Sequence, residues 1–426
     1  MKKALQNIGN RRTELLLYFL LIALVALGNG LSDSIYSNYF KEVYQVDSVQ
    51  RGFIEFPREL PGVLCALLVA ALSFLGDVRL SLLAQILTCL GLAVLGLFTP
   101  AFSTMLVFLF INSLGMHLFL PVQDSLGMSL AEPDQLGRRM GQFASVRSAV
   151  GFAAALLVFF GFRQGWFSFA TERKGVFLLG ALFFAAAVAV NIWLLAKAKP
   201  GLSGGGGKRF HLVFRKEYKY YYLLTVLHGV QKQIAYVYGS WVIIDLLLKG
   251  ADVMALLSIV SSFICIFFLH YLGKWMDRFG IKRMMFADAL SFIFVYVLYG
   301  FVVWGIADGA LPSIGWPVFC VFALFILDRL SMQLNMVKAV YLKSIALSEE
   351  DVVTTLSTGT SMDHVVAIVA AAIGGIIWAQ WGSQWVFFMA ALISVGNLIV
   401  AFRVKPEEER ARALAWRKAG GKDLSA

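Results

Sequence analysis

Arg147, Lys232, Asp328, Arg329, Asp363 and His364 stand deep inside long apolar stretches, about 10 to 17 residues from the nearest end at a helical rise of about 1.5 Å per residue. A charged side chain at the centre of a bilayer costs about 2.5–3.5 kcal/mol on insertion scales. Each therefore needs an opposite charge, a hydrogen-bonding neighbour or water beside it. Such positions serve ion pairs, proton transfer and the binding of polar solutes. Spacing sharpens the reading: His228 and Lys232 are four residues apart and share a helical face with Thr225, Tyr236 and Ser240, while Asp328, Ser331, Asn335 and Lys338 form a comparable stripe. Among the deep positions Arg147, Lys232 and Arg329 exceed Asp328 and Asp363 by one charge, which favours an anionic or zwitterionic solute. An ion pair of Arg147 or Lys232 with Asp328 or Asp363 would use the same residues as a purely structural lock.

A second group surrounds Glu55-Phe-Pro57-Arg58-Glu59-Leu-Pro61. Glu55 lies three residues from Arg58 and four from Glu59, so one cation is shared by two carboxylates, and the prolines loosen the helix around them. Two acids and one base leave a negative charge or one proton. With Asp33 on the preceding span, Glu55, Arg58 and Glu59 form the best proton-binding candidates, and Asp124 is a further one that could instead neutralise Lys338. His117, His228 and His364 sit on different spans with no metal-ligand spacing, so no metal site is expected, and His117 reads as an ordinary helix contact. There is no phosphate-binding Gly-rich loop, nucleophile elbow or HExxH, so no enzyme, no ATP-driven pump and no cofactor is expected.

The elements that must hold these residues follow from composition. The chain has 426 residues, 59% of them from the set AVILMFWYC, with a mean hydropathy of +0.75. That is too apolar for a soluble globule, and a spanning helix of about 20 residues plus its loop allows about twelve passes. The apolar runs fall near 13–40, 50–75, 80–99, 103–131, 137–162, 175–196, 218–248, 252–273, 283–306, 312–344, 352–380 and 384–402. Residues 197–217 contain Gly204 to Gly207 followed by Lys208, Arg209, Arg215 and Lys216, a flexible basic linker between an amino-terminal six-helix bundle at 1–196 and a carboxyl-terminal one at 218–403, with a cytoplasmic tail at 404–426.

The chain carries 37 Lys and Arg against 26 Asp and Glu. On alternate sides of the twelve spans the Lys and Arg divide 26 to 6, which puts both termini in the cytoplasm and makes the excess a topological signal rather than a nucleic-acid footprint. The basic start, Lys2, Lys3, Arg11 and Arg12, precedes a long run with Asn29 and Asp33 and reads as a retained first helix. Cys65, Cys89, Cys265 and Cys320 read as small apolar residues.

Ionisable residues within the spans have a period. Spans one, two, four, five, seven, ten and eleven carry them; spans three, six and twelve do not, and eight and nine have just His270 and Asp288 near their ends. Every third helix is bland and is expected to face lipid. Three-helix repeats place equivalent helices in equivalent surroundings.

At this point the chain resembles the major facilitator superfamily. The resemblance is carried by Gly273-Lys-Trp-Met-Asp277-Arg278-Phe-Gly280-Ile-Lys282-Arg283 between spans eight and nine, similar to that family's signature loop, and by a worn copy at Ser73 to Arg79, in which Asp77 fits. Asp277 also suits a neighbouring helix amino end, and Arg278, Lys282 and Arg283 suit the anionic inner membrane surface. The resemblance implies an all-α membrane protein of twelve helices in two pseudo-symmetric six-helix bundles, with Asp277 in a cytoplasmic gate. It implies a monomeric secondary active transporter in a bacterial inner membrane, working by alternating access on a small-molecule solute, with protons and membrane lipids as its other partners. Two patterns of the drug/proton exporters are missing: Gly141 to Gly161 contains no Pro, and no Arg stands near Ser103. The alternatives are an exporter of drugs or lipids with the same fold, or a receptor or assembly protein that does not transport.

Overall fold

The computed structural model describes residues 2–132, 135–197 and 214–418. Gly204 to Gly207, Lys208 and Arg209 of the expected linker, and the last eight residues of the tail, lie outside the described residues. The described chain is helical: α1 (Lys2–Gly30), α2 (Tyr36–Tyr44), α3 (Ser48–Phe53), α4 (Glu55–Ala71), α5 (Asp77–Leu97), α6 (Phe102–Ser129), α7 (Leu136–Arg163), α8 (Gly175–Lys197), α9 (Lys219–Gln233), α10 (Ala251–Ala307), α11 (Trp316–Gln333), α12 (Asn335–Ile345), α13 (Glu349–Trp381), α14 (Ser383–Arg403) and α15 (Pro406–Lys418). Nine helical stretches among the described residues are long and apolar enough to cross a membrane.

That number and the twelve sequence spans are reconciled by where helices break. α10 holds spans eight and nine, joined at Gly280, whose φ of 78° and ψ of 163° are non-helical. Span two is divided at Ile54 into α3 and α4, and the 17-residue α4 carries Pro61 inside it. Span seven runs from α9 into two π-helical stretches, Ile234–Gly239 and Val242–Leu246. Two of these breaks have a local cause: a backbone region reserved for glycine at Gly280, and Pro57 after Ile54, which has no N–H to donate back to Phe53; the start of α3 is fixed by a capping box in which Asp47 and Gln50 satisfy each other's backbone. Span ten divides likewise at Leu334 into α11 and α12, while the helices of spans three, six and twelve (α5, α8 and α14) are continuous. Broken helices thus coincide with spans that carry ionisable residues, and π-turns frequently mark functional positions.

The chain forms two compact units. One contains Met1–Gln45, Pro57–Phe210 and Gly250–Ile259; the other contains Val46–Phe56, His211–Lys249 and Val260–Ala426. In the first, α5 packs on α6 and α8, and α1 packs on α7 and α8. An amide and hydroxyl ladder runs through it: Tyr36 donates to Asn112 at 3.0 Å, Asn112 to the Thr88 carbonyl at 3.1 Å, and Asn191 to Ser81 at 2.7 Å. In the second, α13 packs on α3, α9 and α14. Gln231 donates to Ser394 at 2.7 Å and accepts from Asn397 at 3.1 Å, and its carbonyl accepts from Tyr296 at 2.9 Å. The bland helices therefore do not face lipid all round. α5, α8 and α14 each bury one face, and those faces carry the paired Ser81, Asn191 and Asn397. An amide paired inside a bundle is uncharged, so a count of ionisable residues passes over it.

The tail is built into the second unit. Tyr341 of α12 donates to Glu409 at 2.7 Å, Arg417 donates to the Ala346 carbonyl, and Ala413 is buried in a cluster with Tyr341, Leu342 and Ile345. In α3, Gly52 lies against the Ala371 carbonyl of α13, which also accepts from the Tyr238 hydroxyl, and Ser48 donates to the Gly375 carbonyl at 3.2 Å. Small residues allow that backbone approach.

Candidate functional site

The ionisable groups of the second unit gather around α9. Lys232 Nζ lies 2.5 Å from Asp363 Oδ2, with both side chains about four-fifths buried at 20% and 17% exposure. Gly229, one residue short of a turn before Lys232, admits this closeness: a Cβ there would stand 3.1 Å from Asp363 Oδ1. His228, one turn below Lys232, is buried beside Lys338, Asp363 and Lys232. His364 follows Asp363 and is half-buried. Asn335 and Lys338 reach the same region from α12, with the Lys338 ammonium 5.9 Å from the Tyr221 ring centre. Lys232, Asp363, His228 and Asn335, taken from the sequence as binding residues, are therefore neighbours.

Arg329, Tyr236 and Asp328 occupy a second part of this unit. The Arg329 guanidinium lies over the Tyr236 ring at 3.9 Å and over Phe325 at 4.9 Å, cation–π contacts beside the neighbouring Asp328. Asp328 is fully buried beside Tyr296 and Tyr299; the Tyr299 hydroxyl donates to the Gly239 carbonyl at 3.1 Å within the π-helical stretch. Asp328 Oδ1 is buried without a hydrogen-bond partner among the described residues.

In the first unit Arg147 faces Asp124 at 3.9 Å, with the side chains 34% and 54% exposed. Both also neighbour Tyr18, whose hydroxyl donates to the Gln123 carbonyl. Asp124 is thus set against Arg147 within its own unit. Arg58 lies over the Tyr36 ring at 5.5 Å and beside Asp33, and Glu59 follows it, half-buried, on α4. His117 meets Ser113 at 3.1 Å, an ordinary contact within α6 as expected.

Glu55 has a partner that the sequence reading did not name. Its carboxylate pairs at 2.5 Å with Arg51, one turn earlier, and both are almost wholly buried in the second unit with Tyr238 nearby. Arg58 belongs to the first unit with Asp33, Glu59 and Asp124. The Lys and Arg count put Arg51 with the loop before span two because it stands at the edge of the 50–75 run; the capped start of α3 draws it into the helix.

The signature loop takes a definite shape. Residues up to Phe279 remain helical and the chain turns at Gly280. Gly76, with φ 72° and ψ 161°, makes the same turn before α5. Matching the two glycines sets Arg79 against Arg283 and Ser73 against Asp277, and it leaves Asp77 one residue past the turn. The worn copy thus lacks the acid and keeps the trailing base. Asp77 instead accepts from Ser125 of α6 at 2.5 Å. Asp277 is exposed, Arg278 lies over the Phe279 ring at 5.4 Å, and Lys282 donates to the Phe402 carbonyl at 3.3 Å; Arg283 is exposed and Gly273 has open space around it.

Asp288 is the residue that sequence reasoning passed over. It was assigned to a helix end, yet it lines a hollow with His228, Asn335 and Lys338. A signal existed in the sequence: Asp288, Phe292, Tyr296 and Tyr299 repeat at helical spacing on one face, which an interior face with polar atoms would show.

By sequence, no family profile and no curated protein matches the chain. Solved structures do match it. The chain is similar to the nucleoside transporter NupG at 15% identity and TM-score 0.72, covering 92% of this chain and 98% of that one. It is similar to a POT family transporter in complex with 5-aminolevulinic acid at 10% identity and TM-score 0.71, covering 96% of each. A bacterial homologue of the iron transporter ferroportin in an inward-facing state matches at 14% identity and TM-score 0.67, covering 92% and 98%. The chain has the fold of the major facilitator superfamily, an all-α membrane architecture, and these neighbours are transporters.

Proposed function

We propose that this protein is a secondary active transporter that moves a small polar solute, anionic or zwitterionic, across the membrane by alternating access and with proton coupling. The observation that carries the reading is the pair of cations held deep in the spans by acids that leave part of their charge accessible: Arg147 by Asp124 in one unit and Lys232 by Asp363 in the other. An anionic group on a solute competes for each cation. The acid it displaces loses its counter-charge and gains affinity for a proton, so solute binding and protonation favour one another. His228, Tyr236, Arg329, Asn335 and His364 supply hydrogen bonds and ring contacts near Lys232, and Asp328 adds a buried acid. Asp33 beside Arg58, with Glu59 and the Arg51–Glu55 pair, supplies further groups able to hold protons. The exposed cations around Gly280 are consistent with a cytoplasmic loop, with both termini on that side.

Thermal unfolding of the detergent-purified chain tests the reading against a panel drawn from the neighbours' cargo: nucleosides, 5-aminolevulinic acid and ferrous iron. A binder at about 100 times its Kd stabilises the folded state by about 2.7 kcal/mol. The account expects stabilisation by a charged organic solute. Stabilisation by ferrous iron alone would overturn the assignment of solute class.

A further inference from the structure

The hollow beside Asp288 lies wholly within the second unit, enclosed by α9, the leg of α10 after Gly280, and the α11–α12 junction. It has room for about one water. Its polar lining is His228, Asp288, Asn335 and Lys338, closed by apolar residues such as Leu224 and Val337. Asp288 Oδ1 and Asn335 Oδ1 are buried with no hydrogen-bond partner among the described residues, and so is Asp363 Oδ1 nearby. All three atoms are acceptors. These three oxygens are left unmet although Lys338, His228 and the Asn335 amide carry donors into the same hollow, and a carboxylic proton or a water placed there would meet them.

The charged groups around it form a graded line. Asp363 lies 14 residues past the start of α13 and Lys232 13 past the start of α9, about 20 Å along each helix; His228 lies about 14 Å along α9, and Asp288 about 12 Å past the Gly280 turn. Lys338, about 10 Å from the end of α12, faces Asp363, Asp288 and Lys232, and Tyr221 lies beneath it. The groups facing Asp288 are thus Lys338 and Asn335 from α12 and His228 from α9, with the Lys232–Asp363 pair beyond.

We propose that His228, Asp288 and the single-water hollow between them form a proton relay inside the second unit, running from Asp363 toward the cytoplasmic end of the bundle. It rests on the proton-coupled reading above. When a solute draws Lys232 away, Asp363 takes a proton on its carboxylate. That proton passes to a ring nitrogen of His228, forming imidazolium and returning Asp363 to its ionised form. His228 gives it through the water to Asp288 Oδ1, and the Asp288 carboxyl releases it to cytoplasmic water. The Lys338 cation facing Asp288 favours the ionised acid and so resets it, which makes Lys338 a positioning residue.

Infrared difference spectroscopy of the full chain in lipid nanodiscs, stepped from about pH 4 to about pH 9, reads the carboxyl groups directly. No solute is needed, so the failure of every transport substrate would leave this result standing. The expected outcome is a protonated-carboxyl band that disappears in Asp288→Asn and persists in Asp33→Asn. In Lys338→Met the same band should titrate higher by about one pH unit or more, because a neighbouring cation favours the ionised acid. After a rapid pH jump, His228→Gln should slow by about ten-fold or more the rise of the carboxyl band that Asp363→Asn removes, since the relay reaches Asp363 through His228. A spectrum in Asp288→Asn identical to wild type overturns the relay. If that variant does not fold, an unshifted band in Lys338→Met overturns it, as does an unchanged rate in His228→Gln.

Discussion

Lys232 of α9 and Asp363 of α13 meet at 2.5 Å within one compact unit, and the missing side chain of Gly229 is what lets the two helices come that close. Neither residue has an apolar alternative in its helix face: a lysine or an aspartate alone at that depth would leave a charge without a counterpart. Neutralising one partner should therefore cost more than neutralising both. Lys232→Met or Asp363→Asn alone is expected to lose about 2–4 kcal/mol, at or below the range for buried pairs because both groups keep some exposure. Lys232→Met with Asp363→Asn should recover more than half of that loss. Thermal midpoints of the three variants give the cycle, and additive losses would mean the two charges are not coupled.

Arg147 differs in a way that separates binding from stability. Its distance to Asp124 is 3.9 Å and a third of its side chain is exposed, so it contributes little to the fold, about 0–1 kcal/mol. Arg147→Ala should leave the melting temperature near wild type and remove the ligand-induced shift. Lys232→Ala should lower both. An Arg147→Ala protein that keeps a full ligand shift would take this residue out of the solute site.

Three glycines with three kinds of surroundings should respond differently to alanine. Gly280 holds a backbone region nearly reserved for glycine, with nothing near its absent side chain, so Gly280→Ala should cost about 1–3 kcal/mol of pure backbone strain. Gly52 has ordinary backbone angles but faces the Ala371 carbonyl, so Gly52→Ala should cost about 1–3 kcal/mol by forcing α3 off α13. Gly273 is helical with open space, and Gly273→Ala should be neutral or stabilise by roughly 0.5–1 kcal/mol. Unfolding midpoints in a single detergent rank them. Equal effects at Gly273 and Gly280 would contradict the turn assigned here.

Much of the architecture was legible in advance because a bilayer taxes every polar atom. Apolar runs marked the spans, and the break at Gly280 fell where a glycine stands. The depth of Lys232 and Asp363 placed them together as one of the expected pairings. What hydropathy could not show was a contact made by chain geometry. Arg51 looked like a loop residue until the Asp47 cap extended α3 around it, and Asp288 looked like a helix-end anchor because its depth is measured from a turn that one glycine fixes. The tail reads as a charged extension, and its docking through Tyr341 and Glu409 needs two residues 68 positions apart.

That tail gives a fourth expectation. Ending the chain after Arg403 removes Glu409, Ala413 and Arg417 from α12 and uncovers the buried Tyr341 and Ile345. The shortened protein should aggregate more readily in detergent and melt lower, while Glu409→Gln, which keeps a hydrogen-bonding oxygen, should lose less than about 1 kcal/mol. Size-exclusion profiles and melting curves report both. A truncated chain as stable as the whole one would show the helix to be dispensable.

The central claim is that intramembrane charge pairs couple a polar solute to protons, and uptake into proteoliposomes under an imposed pH gradient measures it most directly. With the solute found by thermal shift, the account predicts accumulation above equilibrium that a protonophore abolishes and that is lost in Arg147→Ala and in Lys232→Ala. Equal solute on both sides of the membrane regardless of the gradient, or undiminished accumulation in both variants, would contradict it.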